Sequence, residues 1–184
     1  EVRKLCLNSG NFGLLDEIVG FSHKGSGCIF REFDAYPKIK NRFLMPFFSI
    51  YSFDYKNPGE ELIIEQISEK TGISIGNLLK WFLKNIIEFW CEAVKKKGLI
   101  LEMHAQNTLL EIDSDFKPMR IVVRDFCSVG IDFKIRKSLK LHTNFSKRLV
   151  GKNANFPRKK EYSLVYDYLI VHHFLKPMVE KCCE

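Results

Sequence analysis

Glu102-Met103-His104-Ala105-Gln106-Asn107 sets an acid, an imidazole and two amides between the apolar runs 99–101 and 108–112. A turn over 113–118 and a third apolar run, 119–123, then deliver the pair Arg124-Asp125. Polar groups flanked by apolar strands belong at strand ends or in a cleft, because burial without partners is costly. One chemistry suits the set. Mg2+ takes hard oxygen ligands, commonly one or two carboxylates plus phosphate oxygens. Protein kinases hold it with a loop Asn and a later Asp. On this pattern Asn107 and Asp125 hold Mg2+ and ATP, and Glu102 is a third oxygen ligand. His104 faces the substrate as a hydrogen-bond donor or general base, and Arg124 neutralises phosphate or holds Asp125. The same residues also fit a polar hairpin whose Arg124-Asp125 pair is structural, since ion-pair networks sit in clefts too.

The elements that must position these residues follow from periodicity. Ile75, Leu78, Leu79, Phe82, Leu83, Ile86, Ile87, Trp90, Cys91 and Val94 recur at helical spacing. Ser74 caps the start; Lys95, Lys96 and Lys97 suit the negative end of the helix dipole, and Gly98 ends it. The stripe is core rather than a cofactor box, and the period then switches to strand. A short helix is expected from Pro58-Gly59 to Lys70, stopped by Gly72. Residues 1–60 read as short strands and loops punctuated by glycine, and residues 162–175 as a helix with Leu164, Val165, Tyr168, Leu169, His172 and Leu175 on one side. Ser22-His23-Lys24-Gly25-Ser26-Gly27 lacks Walker spacing and reads as a flexible turn. The fold class expected is α+β, a mixed or antiparallel sheet with a long buried helix.

Composition narrows the class of function. The 184 residues are 46% hydrophobic with 16 Phe, enough for a core and against disorder. No run is long and apolar enough to predict a membrane span, and no signal-peptide pattern opens the chain. Glu1 opens directly into mixed sequence, as in a piece cut from a longer chain. Net charge is +7, and residues 133–160 carry ten Lys or Arg and no acid, read as a solvated loop region or a rim attracting anions. The cysteines, Cys6, Cys28, Cys91, Cys127, Cys182 and Cys183, make no zinc pattern and suit a reducing cytoplasm; Cys91 should pack as a small hydrophobe. His172-His173 point different ways on a helix, His23 and His142 fall in loops, and Trp81 and Trp90 serve packing.

Residues 102–110 followed by Pro118-Met119-Arg120-Ile121-Val122-Val123-Arg124-Asp125-Phe126 resemble the motif core of the aerobactin-synthetase (IucA/IucC) family of siderophore synthetases. That family carries E-x-H-x-Q-N, then P-x-R and an R-D pair; it usually has Gly where this chain has Ala105. Cys28-Ile29-Phe30-Arg31-Glu32 is similar to its apolar-Arg-Glu segment. The resemblance is strong over residues 75–130 and thin elsewhere. It implies a cytoplasmic bacterial ligase that uses Mg2+ and ATP to adenylate citrate or a citrate-like carboxylate, then condenses it with an amine or hydroxyl. It implies catalytic roles for His104 and Arg124, nucleotide binding by Gln106, Asn107, Asp125 and Arg31, and metal binding by Asn107, Asp125 and Glu102. It also implies a hand-like shape, with residues 1–60 a partial fingers region and 61–184 the palm. The family's upstream phosphate grip is missing, so the fragment is expected to fold yet lack activity. Nucleic acid and membrane are not expected partners, and a homodimer is left open.

Three rivals follow from other features. Cys182-Cys183 resembles the vicinal pair of the FhuF iron reductases, although four thiolates are the usual need of a cluster. The basic stretch would suit nucleic acid, but no recognised motif accompanies it. A kinase-like phosphotransferase would share the Asn and Asp, without the other kinase signatures.

Overall fold

The computed structural model describes residues 1–53, 56–126, 129–144 and 158–183. In order these form α1 (Val2–Asn8), β1 (Phe12–Leu14), β2 (Glu17–His23), β3 (Ser26–Arg31), β4 (Phe43–Pro46), α2 (Phe47–Ile50), α3 (Ile63–Thr71), α4 (Ile75–Lys97), β5 (Leu99–Ile100), β6 (Thr108–Ile112), β7 (Pro118–Val123), β8 (Gly130–Ile131) and α5 (Phe133–Ser138). Three contiguous helical stretches, Arg158–Tyr162, Ser163–Leu175 and Lys176–Cys183, close the chain. Cys127 and the part of the basic run between 145 and 157 lie outside the described residues.

The main sheet is four-stranded in the order β1-β7-β6-β4. β6 and β7 form the expected hairpin, Leu110 opposite Ile121, and β4 adds antiparallel to β6. β1 runs parallel to β7, with Phe12 opposite Ile121. The mixed sheet expected of the fold class is therefore present, with strands from before residue 60 on both of its edges.

The 23-residue α4 is the long helix that the periodicity predicts. Ser74 Oγ accepts from Asn77 N at 3.4 Å, and three lysines occupy the last turn. Gly98 ends it at φ 60, where a side chain is unfavourable. A Cβ there would also meet Arg136 Cγ at 2.6 Å, so packing demands glycine as well. Phe82, Ile86, Phe89 and Ala93 have no solvent exposure. Phe89 stacks on Phe12 with ring centroids 4.5 Å apart, which seats the helix over β1. Cys91 is half-buried against this core, as expected of a small hydrophobe.

Three local expectations need correcting. Residues 1–60 contain two short helices besides strands; α1 buries Leu5 and Cys6, and α2 buries Phe47 and Ile50. Helices this short are set by tertiary packing rather than by local signals. The short helix begins at Ile63 rather than at Pro58-Gly59, because Glu65 reaches back to the Leu62 N–H at 2.5 Å and caps it there; Gly72 stops it as foreseen. In Ser163–Leu175 the backbone winds with the wide i→i+5 pitch. The buried residues are Val165, Ile170, Phe174 and Leu175, while Leu164, Tyr168 and His172 are exposed. A 3.6-residue period therefore captures only part of the buried face, Val165 and Leu175 with half-buried Leu169.

A buried ion pair ties the sheet to the segment that crosses it. Arg120 and Glu111 are each 2% exposed. Arg120 Nε and Nη2 donate to the Glu111 carboxylate at 2.6 and 2.8 Å, and Nη2 also reaches the carbonyls of Pro37 at 2.7 Å and Ala35 at 3.3 Å. Arg120→Leu strands a buried carboxylate and two carbonyls, and should cost about 3–5 kcal/mol in urea unfolding. Adding Glu111→Leu should recover part of that loss; equal stability of the single variant and the parent would contradict the pair's role.

Candidate active site

Every second residue of the segment between β5 and β6 is an anchor. Met103 and Ala105 are 1% and 8% exposed and join the core, whereas Glu102 and His104 are half-buried and Gln106 is exposed. Burial thus alternates along E-x-H-x-Q: Met103 and Ala105 hold the loop down while Glu102, His104 and Gln106 stay more accessible, Ala105 and Gln106 already lying within the turn. The Ala105 methyl is accommodated in that core. Trp90 of α4 donates its indole N–H to the Leu101 carbonyl at 3.1 Å, which fixes where the loop begins. A tight turn ends it, with Asn107 N and Thr108 N both donating to His104 O at 2.9 and 3.0 Å.

β7 then brings Arg124 and Asp125 beside that turn. Arg124 N donates to Asn107 O and its Nε to Gln106 O, both at 3.0 Å. The guanidinium therefore braces the loop as well as carrying charge. Asn107 is 7% exposed and donates from Nδ2 to Glu102 O at 3.3 Å. Asp125 has φ 63, the left-handed region that Asp and Asn tolerate best among side-chain-bearing residues. Its carboxylate lies 3.6 Å from Nη2 of Arg31. Arg31 itself donates from Nη2 and Nε to Glu17 Oε1 at 3.1 and 3.3 Å.

The structure thus brings Glu102, His104, Gln106, Asn107, Arg124, Asp125 and Arg31 into one neighbourhood. Sequence reasoning missed Glu17, whose signal was present. Lys24 and Gly25 both have positive φ, so the supposed flexible turn is the tight turn of the β2–β3 hairpin, and the register of that hairpin sets Glu17 opposite Arg31. It also missed the structural role of Arg120 within the P-x-R element.

The electrostatics are those of mixed charge at partial burial. Burial pushes the Glu102 carboxyl above its ordinary range, and the charge of Asp125 adds to the shift. Burial lowers the His104 imidazole, with Asp125 opposing and Arg124 reinforcing. Burial also lowers the Arg124 guanidinium, reinforced by Arg31 and opposed by Asp125. Two carboxylates close enough to repel, with an amide side chain beside them, form a donor set of hard oxygens that suits a small divalent cation. Among the described residues no group of three or more His, Cys, Asp or Glu is placed to hold a metal by itself, so phosphate and water oxygens would have to complete the coordination.

These couplings have a sign that can be measured. Asp125→Asn suits the left-handed backbone and removes a charge that raises both neighbours. NMR titration should therefore find the Glu102 and His104 pKa values both lower than in the parent; a rise in either would contradict the geometry. In stability terms His104, being depressed, contributes stability present above about pH 6.5 and lost as pH falls through its folded-state value. Glu102, being raised, contributes stability present below about pH 4.5 and lost as pH rises through its folded-state value.

Comparisons with known proteins agree with the fold. The petrobactin biosynthesis protein AsbB of Bacillus anthracis str. Sterne is similar over 83% of this chain and 27% of its own, with 23% identity and a TM-score of 0.59. The aerobactin synthetases IucC and IucA of a hypervirulent Klebsiella pneumoniae pathotype match 98% and 97% of this chain, at 13% and 12% identity, each with a TM-score of 0.61. This chain spans about a third of each of those two proteins. These similarities establish a shared fold. No curated protein matches the sequence significantly. Among the described residues no helix is long and apolar enough to cross a membrane. The family described as "ferric iron reductase FhuF-like transporter" matches residues 77–181, from early α4 nearly to the end of the last helix, and the chain belongs to that family.

Proposed function

We propose that this chain is the catalytic-loop portion of an ATP-dependent siderophore synthetase, with residues 61–184 as its palm and 1–60 as part of its fingers. One observation carries the reading. Glu102, His104, Asn107, Arg124 and Asp125 converge at the ends of β6 and β7, in a fold shared with the aerobactin synthetases and a petrobactin biosynthesis protein.

In this reading a citrate-like carboxylate attacks the α-phosphorus of ATP, and pyrophosphate leaves. An amine or hydroxyl then attacks the acyl carbon, and AMP leaves. Asn107, Asp125 and Glu102 would hold Mg2+, which supplies charge neutralisation at the phosphates. Gln106 and Asn107 would contact the nucleotide, and Arg31 and Arg124 would supply cations for the phosphate oxygens. His104, held neutral near pH 7 by its lowered pKa, can take the proton of the attacking nucleophile. A cytoplasmic bacterial setting and a homodimer belong to the same proposal.

A redox reading follows from the family's description and the vicinal Cys182 and Cys183 on the last helix. A cluster generally needs four thiolates, and burial pushes Cys182 up to about 11, which disfavours its ligating form. Cys182 and Cys183 would supply two of these thiolates. The grouping of Glu102, His104, Asn107, Arg124 and Asp125 favours the ligase reading.

The two readings separate in one assay on the full natural chain, given Mg-ATP, citrate and a panel of diamines and amino acids. The expected outcome is citrate-dependent release of AMP and pyrophosphate. Asn107→Ala and Asp125→Ala should each reduce it by more than the ~10–100-fold typical of losing an outer-shell partner. ADP release would indicate phosphotransfer instead. Visible absorbance with no nucleotide turnover would favour the redox reading.

A further inference from the structure

The β2–β3 ribbon stands apart from the main sheet. It forms its own two-stranded sheet, and almost every residue of both strands is exposed, including Val19, Phe21, Ile29 and Phe30. A lone ribbon is marginal in water, so its attachment rests on its base. There Glu32 N donates to Asp16 O at 2.8 Å, and Arg31 donates to Glu17 from two nitrogens. The same guanidinium reaches beyond the ribbon to Asp125. That 3.6 Å separation lies within ion-pair range but past hydrogen-bond length. Arg31 is therefore hydrogen-bonded within the ribbon and drawn to Asp125 by charge. With the two side chains 27% and 37% exposed, such a pair is weak and exchangeable.

We infer that Arg31 is a resident counter-ion for Asp125, which a divalent cation displaces, and that Arg31 then turns to the accompanying polyphosphate and carries the base of the ribbon with it. The inference rests on the reading of Asp125 as a metal ligand and adds a positioning role for Arg31 and its ribbon. It couples arrival of the metal to placement of the phosphate through a single side chain. Glu17 keeps that side chain attached to the ribbon throughout.

Arg31→Gln separates the two halves of this exchange. With Mn2+ alone as probe, followed by electron paramagnetic resonance, the variant should bind roughly two- to five-fold more tightly than the parent, the size expected of a part-exposed ion pair. With Mn-ATP it should bind more weakly. A merely structural arginine would weaken both. Lys38→Gln removes a nearby cation that pairs with Glu32 and should reproduce neither change. Hydrogen exchange across residues 17–31 should accelerate on adding Mn2+ alone to the parent, slow with Mn-ATP, and stay insensitive to Mn2+ in Arg31→Gln. Equal Mn2+ affinity in parent and variant, a matching gain in Lys38→Gln, or ribbon exchange indifferent to Mn2+ would overturn the exchange while leaving the metal site in place. No Mn2+ binding to either folded protein would remove the metal reading of Asp125 itself.

Discussion

A guanidinium shut away from water must find acceptors for its donors, and Arg120 finds them in two separate parts of the chain. It takes the Glu111 carboxylate from the neighbouring strand and the carbonyls of Ala35 and Pro37 from the segment between β3 and β4. A buried ion pair is weak evidence for net stability, since desolvation offsets much of the attraction. Its effect here is on arrangement. With the cation inside, β6, β7 and the 35–37 segment have one mutual placement that leaves no charge stranded. Asn107 precedes β6 and Asp125 lies just past the end of β7, so the relative position of these candidate ligands depends on that registration.

Much of the site was legible in the sequence because its spacing is local. The β6–β7 hairpin and α4 follow from periods within a few residues, and both recur in the structure, whereas the burial of Met103 and Ala105 within the polar loop was not read from the sequence. What was not legible depends on contacts far apart in the chain. α1 and α2 are too short to declare themselves without the core that they cover. The face of Ser163–Leu175 depends on a pitch that pattern reading does not assume. Arg31 was picked out by resemblance, but its partner Glu17 becomes visible only through the hairpin register, and its approach to Asp125 only through the fold. The parallel pairing of β1 with β7 had no signal within either strand.

Charge at the site is mixed in sign rather than concentrated. Three carboxylates, Glu17, Glu102 and Asp125, and two guanidiniums share a partly buried space, and each shift that results from burial is increased or opposed by a named neighbour. In the proposed reading, a metal and a polyphosphate arriving together would meet groups of both signs.

The parallel pairing of β1 with β7 also has a consequence for how the molecule comes together. Gly13 and Val122 are roughly 110 residues apart in the chain. Closing a loop of that length costs about 2 kcal/mol more entropy than closing one of ten residues. The β6–β7 hairpin can therefore form early and by itself, whereas β1 must wait for a distant partner. Leu15 N bonds to Val123 O at 2.8 Å directly after β1, and the ribbon carrying Arg31 follows. One side of the site is thus local and quick to assemble. The other depends on the longest-range contact in the sheet, and Arg31 meets Asp125 only after that closure is complete.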